Sequence, residues 1–97
     1  MTKEDEILDF LNEHVFQPIL DSDTSSVSLK RGVRSTLMRM RKLSAEKMLH
    51  FYWTAIVGTE KSIAFARMMT QEGFSRFEDA DVLEEFRLRF STKWLRS

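Results

Sequence analysis

Residues 44–57, Ser-Ala-Glu-Lys-Met-Leu-His-Phe-Tyr-Trp-Thr-Ala-Ile-Val, decide the fold of this chain. Read as a helix, the segment carries apolar side chains over most of its circumference, and its polar side chains share one narrow arc. Ser44 is a favourable N-cap, and Gly58 favours an exit from the helix. A helix with so wide an apolar surface must be covered by neighbouring helices or by a second copy of the chain. We therefore predict a central helix at about 44–57.

Apolar residues spaced three and four apart indicate four further helices around this one. The five predicted helices span about 2–16, 28–43, 45–57, 60–72 and 76–95. Pro18 cannot continue a helix, so we expect the first helix to end near Phe16. Ser75 and Glu78 have the spacing of a capping box at the start of the last helix. The sequence thus predicts an all-α fold, a single compact domain over 1–97.

The composition favours a soluble protein of the cytoplasm. The chain contains no cysteine, so it has neither a disulfide framework nor a thiolate site. Its acidic N-terminus does not have the basic-then-apolar order of a signal peptide. The longest apolar run, at 48–58, is much shorter than the roughly 20 residues needed to cross a bilayer. We expect no association with a membrane.

Positive and negative residues are segregated, although the formal net charge is zero. Residues 1–26 carry seven acids and one Lys, a net charge of −6. Residues 27–47 carry seven Lys or Arg and one Glu, a net charge of +6. We expect the first two helices to form a charge-complementary pair, because these opposed blocks can neutralise each other within one molecule.

One side of the second predicted helix is basic, which suggests nucleic-acid binding as an alternative function. The residues that would contact phosphates are Lys30, Arg31, Arg34, Arg41 and Lys42. A nucleic-acid module usually has an excess of positive charge, which this chain lacks. A helix-turn-helix would also place a polar recognition helix after a short turn, whereas the helix after the short turn here is the most apolar of all. A solvated cationic face is the simpler explanation of the pattern.

The chain has more apolar side chains than the core of one small bundle obviously needs. This excess favours a protein interface. We predict a non-enzymatic interaction module, a homodimer or a binder of another protein, that uses apolar surface of the third and fifth helices. The candidate interface residues are Trp53, Phe77, Phe86, Leu88, Phe90, Trp94 and Leu95. Aromatic residues and Met are enriched at such contacts. The alternative is that the other four helices simply cover the central one.

Polar residues show no pattern typical of an enzyme. Glu46 and His50 lie one helical turn apart and His14 lies beside an apolar face, but a metal site needs three or four ligands. No nucleophile elbow or phosphate-binding loop is present. We predict no catalytic residue, no cofactor, no metal and no small-molecule substrate.

Several stretches carry a resemblance to a group of known proteins. They are Lys30-Arg-Gly-Val-Arg34, Ala55-Ile-Val-Gly-Thr59, Gln71-Glu-Gly-Phe-Ser-Arg-Phe-Glu78 and Glu85-Phe-Arg87. Residues 30–95 as a whole resemble small helical bacterial proteins of the kind carried on mobile gene cassettes. The resemblance implies a bacterial, cytoplasmic setting. It implies no activity, cofactor or catalytic residue.

Overall fold

The computed structural model describes residues 1–58 and 64–97, and within these ranges the chain forms five main helices and no β-strand. Helix α1 comprises Lys3–Leu11, Asn12–Phe16 and Gln17–Asp21; α2 is Val27–Met40; α3 comprises Ala45–Phe51 and Tyr52–Ile56; α4 is Ala64–Gln71; and α5 is Ala80–Arg89. A 3₁₀ turn at Arg76–Glu78 precedes α5, and a short helix α6, Thr92–Arg96, follows it. The predicted all-α bundle of about five helices is confirmed. The predicted start of the fourth helix, near residue 60, lies outside the described residues.

Helix α3 lies inside the bundle, as predicted. Met48, Tyr52 and Ile56 recur every four residues, so they share one face, and each is at most 1% exposed. This face packs against the first part of α1 and against α4. The Tyr52 ring stacks on the ring of Phe86 from α5, with centroids 3.8 Å apart. Its hydroxyl donates to the Phe77 carbonyl oxygen at 3.4 Å, and burial raises the pKa of Tyr52 to about 12.

Helix α1 does not end near Phe16, contrary to the prediction. It continues to Asp21 through a π-helical turn at Asn12–Phe16, in which the Gln17 N–H donates to the Asn12 carbonyl five residues earlier. In a regular α-helix the Pro18 ring would clash with the carbonyl four residues before it. The π turn changes the hydrogen-bond spacing just before Pro18, and Pro18 then occupies the first turn of the next helical segment, where a missing N–H costs nothing.

The predicted fifth helix is divided into three pieces. Ser75 makes no side-chain capping bond, so the predicted capping box is not formed, and the backbone at Asp79 is extended before α5 begins. At the other end, Phe90 leaves the helical conformation. The Ser91 hydroxyl then accepts a bond from the Trp94 N–H at 3.2 Å and opens α6. A serine at an N-cap favours a new helix start over continuation.

Other helix ends follow from the sequence. Thr2 and Asp5 form a capping box on α1, and the Ser44 hydroxyl caps α3. Gly73 ends α4 with φ +88°, and the bonds from Phe74 N–H to Met69 oxygen and from Gly73 N–H to Thr70 oxygen form a Schellman motif.

A carboxylate joins α4 to α2. Glu72 accepts the Ser26 hydroxyl at 2.6 Å and the Ser26 N–H at 2.7 Å. These two bonds lower the pKa of the Glu72 carboxyl from its ordinary value. Ser26 is at the same time the N-cap of α2, since its hydroxyl accepts the Leu29 N–H. The end of one helix is therefore held against the start of another that is 46 residues away in the chain.

Candidate functional site

A cleft opens between α3, α5 and the start of α6. It has a volume of about 410 Å³ and is lined by Trp53, Arg87, Phe90, Ser91 and Thr92. Trp53 is half-buried and belongs to the π-helical turn Tyr52–Ile56 of α3. Its indole meets the Phe86 ring edge-on at 5.7 Å, and the Arg87 guanidinium lies over the indole, 5.8 Å from the ring centroid. The cleft thus presents one aromatic face flanked by a cation and two hydroxyl groups.

Three of the seven predicted interface residues are core residues, which corrects the prediction. Phe77, Phe86 and Phe90 are buried. Phe10 of α1 contacts two of them edge-on, with centroids 5.6 Å from Phe86 and 5.6 Å from Phe90. The aromatic stripe of the fifth predicted helix is therefore covered by α1 and α3 of the same chain. Of these three residues, Phe90 is the one that retains an edge in the cleft.

The remaining four predicted interface residues differ in exposure. Leu88 is 69% exposed, while Trp53, Trp94 and Leu95 are partly buried against the core. The Trp94 ring packs on Phe90 at 5.0 Å. The Leu95 carbonyl accepts a bond from the Lys3 ammonium at 2.9 Å. Helix α6 is therefore attached to α1, and among these four residues Trp53 is the one that lines the cleft.

The basic face of α2, defined as Lys30, Arg31 and Arg34 of the helix with Arg41 and Lys42 of the turn that follows it, is not neutralised by ion pairs from α1. Between side chains of the described residues, the ion pairs are His14–Glu13, Arg87–Glu84 and Arg89–Glu85. The predicted charge-complementary pairing of the first two helices is therefore wrong. The acidic part of α1, Lys3–Leu11, packs on α3, and it is the segment Gln17–Asp21 that packs on α2.

Two apolar side chains are exposed on the same side of α2. Val27 is 72% exposed and Met38 is 62% exposed. At 100° per residue they fall between Arg34 and Arg31, in the middle of the cations. This surface is therefore cationic at its edges and apolar along its centre.

A smaller cavity, which the sequence did not indicate, lies beside the π-helical turn of α1. It has a volume of about 140 Å³ and is bounded by the turn after α4. Its lining consists of His14, Val15, Pro18, Ile19, Gly73, Phe74, Arg76 and Phe77. The His14 ring also packs on Phe10, with centroids 4.3 Å apart. Tertiary contact alone brings these segments together, so no local pattern in the sequence could reveal the cavity.

The pair Glu46 and His50 has no further ligand among the described residues. Both side chains are exposed, and no group of three His, Cys, Asp or Glu side chains suited to a metal ion is present within 1–58 and 64–97. The His50 carbonyl accepts the Thr54 hydroxyl at 2.9 Å, which is an ordinary bond within a helix.

Sequence reasoning missed three of the residues that line the cleft, Arg87, Ser91 and Thr92. Ser91 could have been found, because a serine after an apolar stripe is a typical helix start. Arg87 gave no signal, since an arginine on a helix is usually only solvated.

Comparison of the chain with protein-family models, with curated proteins and with solved structures finds no match. In the part of the chain that the structure describes, no helix combines the length and the apolar character required to span a bilayer.

Proposed function

We propose that this protein is a non-enzymatic protein-interaction module that binds its partner at the cleft formed by α3, α5 and α6. The observation that supports this function is the half-buried Trp53 beneath the Arg87 guanidinium in an open cleft. Tryptophan and arginine are the residue types most enriched among the side chains that dominate binding energy at protein interfaces. The bacterial cytoplasm is the setting that we propose, given the absence of cysteine and the resemblance described above.

The cleft suits an anchoring side chain better than a broad apolar contact. Its floor is aromatic, and Ser91 and Thr92 at its edge supply hydroxyl groups for hydrogen bonds with a partner backbone. A stable dimer usually buries about 1,200–2,000 Å² in total. Because Phe77, Phe86 and Phe90 lie in the core, the apolar surface left on α3 and α5 is smaller than the sequence predicted. A second copy of the chain is nevertheless the partner to test first.

Light scattering after size exclusion tests this function in the purified protein. We expect the wild type to self-associate and Trp53→Ala to weaken the association, because the anchor in the cleft is removed. Arg87→Ala should weaken it as well. Arg67→Ala removes an exposed arginine from α4 instead and should leave it unchanged. Association that is equal in all four proteins would contradict a role for the cleft.

Nucleic-acid binding is the second candidate, favoured by the lack of ion pairs from α1 to the basic face of α2. Cations without carboxylate partners remain available to phosphates. Arg34→Ala and Arg41→Ala should then weaken binding to any sequence and reduce the salt slope by about 0.9 for each phosphate that is no longer neutralised. If the wild type fails to shift DNA or RNA at about 50 mM salt, where phosphate binding is strong, this candidate is excluded.

A further inference from the structure

Two faces of opposite charge lie on the surface of this protein without pairing to each other. One is the basic face of α2. The other is an acidic stripe on α1, defined here as Glu6, Asp9 and Glu13, whose spacing of three and four residues places them on one side of the helix. Asp9 and Glu13 are exposed, and Glu6 is partly exposed. No ion pair joins the stripe to α2 among the described residues.

We propose that the acidic stripe of one copy docks on the basic face of α2 of a second copy. The charges are opposite, since the stripe carries three carboxylates and the face carries five cations. The lengths are compatible too. Residues 6–13 span about 10 Å of helix and residues 30–40 of α2 about 15 Å, so the stripe fits within the face.

A twofold arrangement uses both faces of both copies. Each chain carries one stripe and one face, so a symmetric dimer forms the same contact twice. The centre of the basic face also fits a protein better than a phosphate backbone. Met38 is exposed there, and the methylene groups of a glutamate side chain can cover it, whereas phosphates offer no apolar atoms.

This docking uses surfaces other than the cleft. The dependence on salt concentration distinguishes it from binding at the cleft. An association of exposed charges weakens as the ionic strength rises, whereas an apolar contact at Trp53 does not. We expect the part of the wild-type association that this docking provides to form at about 50 mM NaCl and to be lost at about 500 mM NaCl, where the Debye length is only a few ångströms. Trp53→Ala should keep this salt-sensitive association even if it abolishes binding at the cleft.

Charge reversal with complementation is the decisive experiment, carried out in the Trp53→Ala background, where the cleft does not contribute, and read by sedimentation velocity at low salt. One variant carries Arg34→Glu and Arg41→Glu, and the other carries Glu6→Lys and Asp9→Lys. Each alone places like charges opposite each other and should raise the dimer dissociation constant by about 100-fold or more. A mixture of the two variants should form a dimer again, because the unchanged stripe of the first variant meets the unchanged face of the second.

A matched control carries Arg67→Glu and Arg76→Glu, which change the net charge by the same amount at exposed positions outside α2. It should associate like the wild type, and circular dichroism of all variants confirms that they are folded. A wild type that is monomeric at about 50 mM NaCl, conditions that favour exposed ion pairs, overturns the proposal. A mixture that stays monomeric overturns it too. Loss of nucleic-acid binding in the Arg34→Glu and Arg41→Glu variant without complementation would assign the basic face to nucleic acid instead.

Discussion

Tyr52 is the only tyrosine of the chain, so its ionisation can be followed directly by absorbance near 295 nm. Burial raises its pKa to about 12 in the folded protein. The unfolded chain should titrate near the ordinary value of 10.0. We therefore expect tyrosinate absorbance to appear near pH 12 without denaturant and about two pH units lower in concentrated urea. Titration near pH 10 in the folded protein would contradict the burial of the phenol.

The same shift makes the fold sensitive to alkali. A group whose pKa is raised on folding contributes stability below its unfolded pKa, and this contribution is lost as the pH rises from about 10 to about 12. Tyr52→Phe removes the ionisable hydroxyl. Between about pH 10 and about pH 12, the free energy of unfolding of Tyr52→Phe should fall less than that of the wild type.

Phe86 packs against four aromatic rings, those of Phe10, Tyr52, Trp53 and Phe90, and is 1% exposed. Phe86→Ala should therefore lower the free energy of unfolding by about 3–5 kcal/mol, measured by urea denaturation. Leu88→Ala is the control two residues away, on the exposed side of α5, and should cost no more than about 0.5 kcal/mol. Equal effects of the two substitutions would contradict the orientation of α5.

At the scale of single residues, the spacing of apolar residues predicted well which helix faces are apolar. It predicted poorly which of these faces are covered by the rest of the same chain. Phe86 and Phe90 were expected at an interface, and both lie in the core. The spacing of apolar residues defines a face, but it does not say whether that face meets the same chain or a second one. Tyr52 and Phe10 cover it here, and their positions depend on the path of α1 and α3.

At the scale of helices, the bonds between Ser26 and Glu72 predict a specific pH dependence. The pKa of Glu72 is lowered on folding, so its ionised form adds stability above the ordinary value of 4.5, and this contribution is lost as the pH falls through the lower, folded value. Glu72→Gln should therefore destabilise the protein at pH 7. The difference from the wild type should shrink progressively below pH 4.5.

Urea midpoints at several pH values measure this difference. Glu78→Gln is a suitable control, because Glu78 is exposed and its side chain accepts no hydrogen bond from another part of the described chain. If Glu72→Gln has the same midpoint as the wild type at pH 7, the link between α4 and α2 is not formed in solution.

Helix ends were predictable where a side chain caps its own helix, as at Thr2 and Ser44, or where a glycine ends it, as at Gly73. They were not predictable where the backbone adapts. Pro18 ends an ideal α-helix, but a π turn lets the helix continue to Asp21. Local sequence rules assume regular helices, so they place a boundary where the real chain changes its hydrogen-bond spacing.

At the scale of the whole molecule, composition and the segment 44–57 were enough to predict an all-α bundle around one buried helix. The pairing of charged helices was not predictable from opposed charge blocks alone. The acids of α1 form no ion pair with α2 among the described residues, because hydrophobic burial of Ile7, Phe10 and Leu11 orients the helix. Exposed ion pairs contribute at most about 1 kcal/mol each, which is too little to override that burial.

The central claim about association is that the acidic stripe of one copy docks on the basic face of another, and zero-length cross-linking between carboxylates and lysines tests it most directly. The sample is an equal mixture of ¹⁴N-labelled and ¹⁵N-labelled protein at low salt, so that mass spectrometry separates links between copies from links within one copy. We predict mixed-isotope links from Glu6, Asp9 or Glu13 to Lys30 or Lys42. Links confined to single copies, or mixed links that avoid these residues, would contradict it.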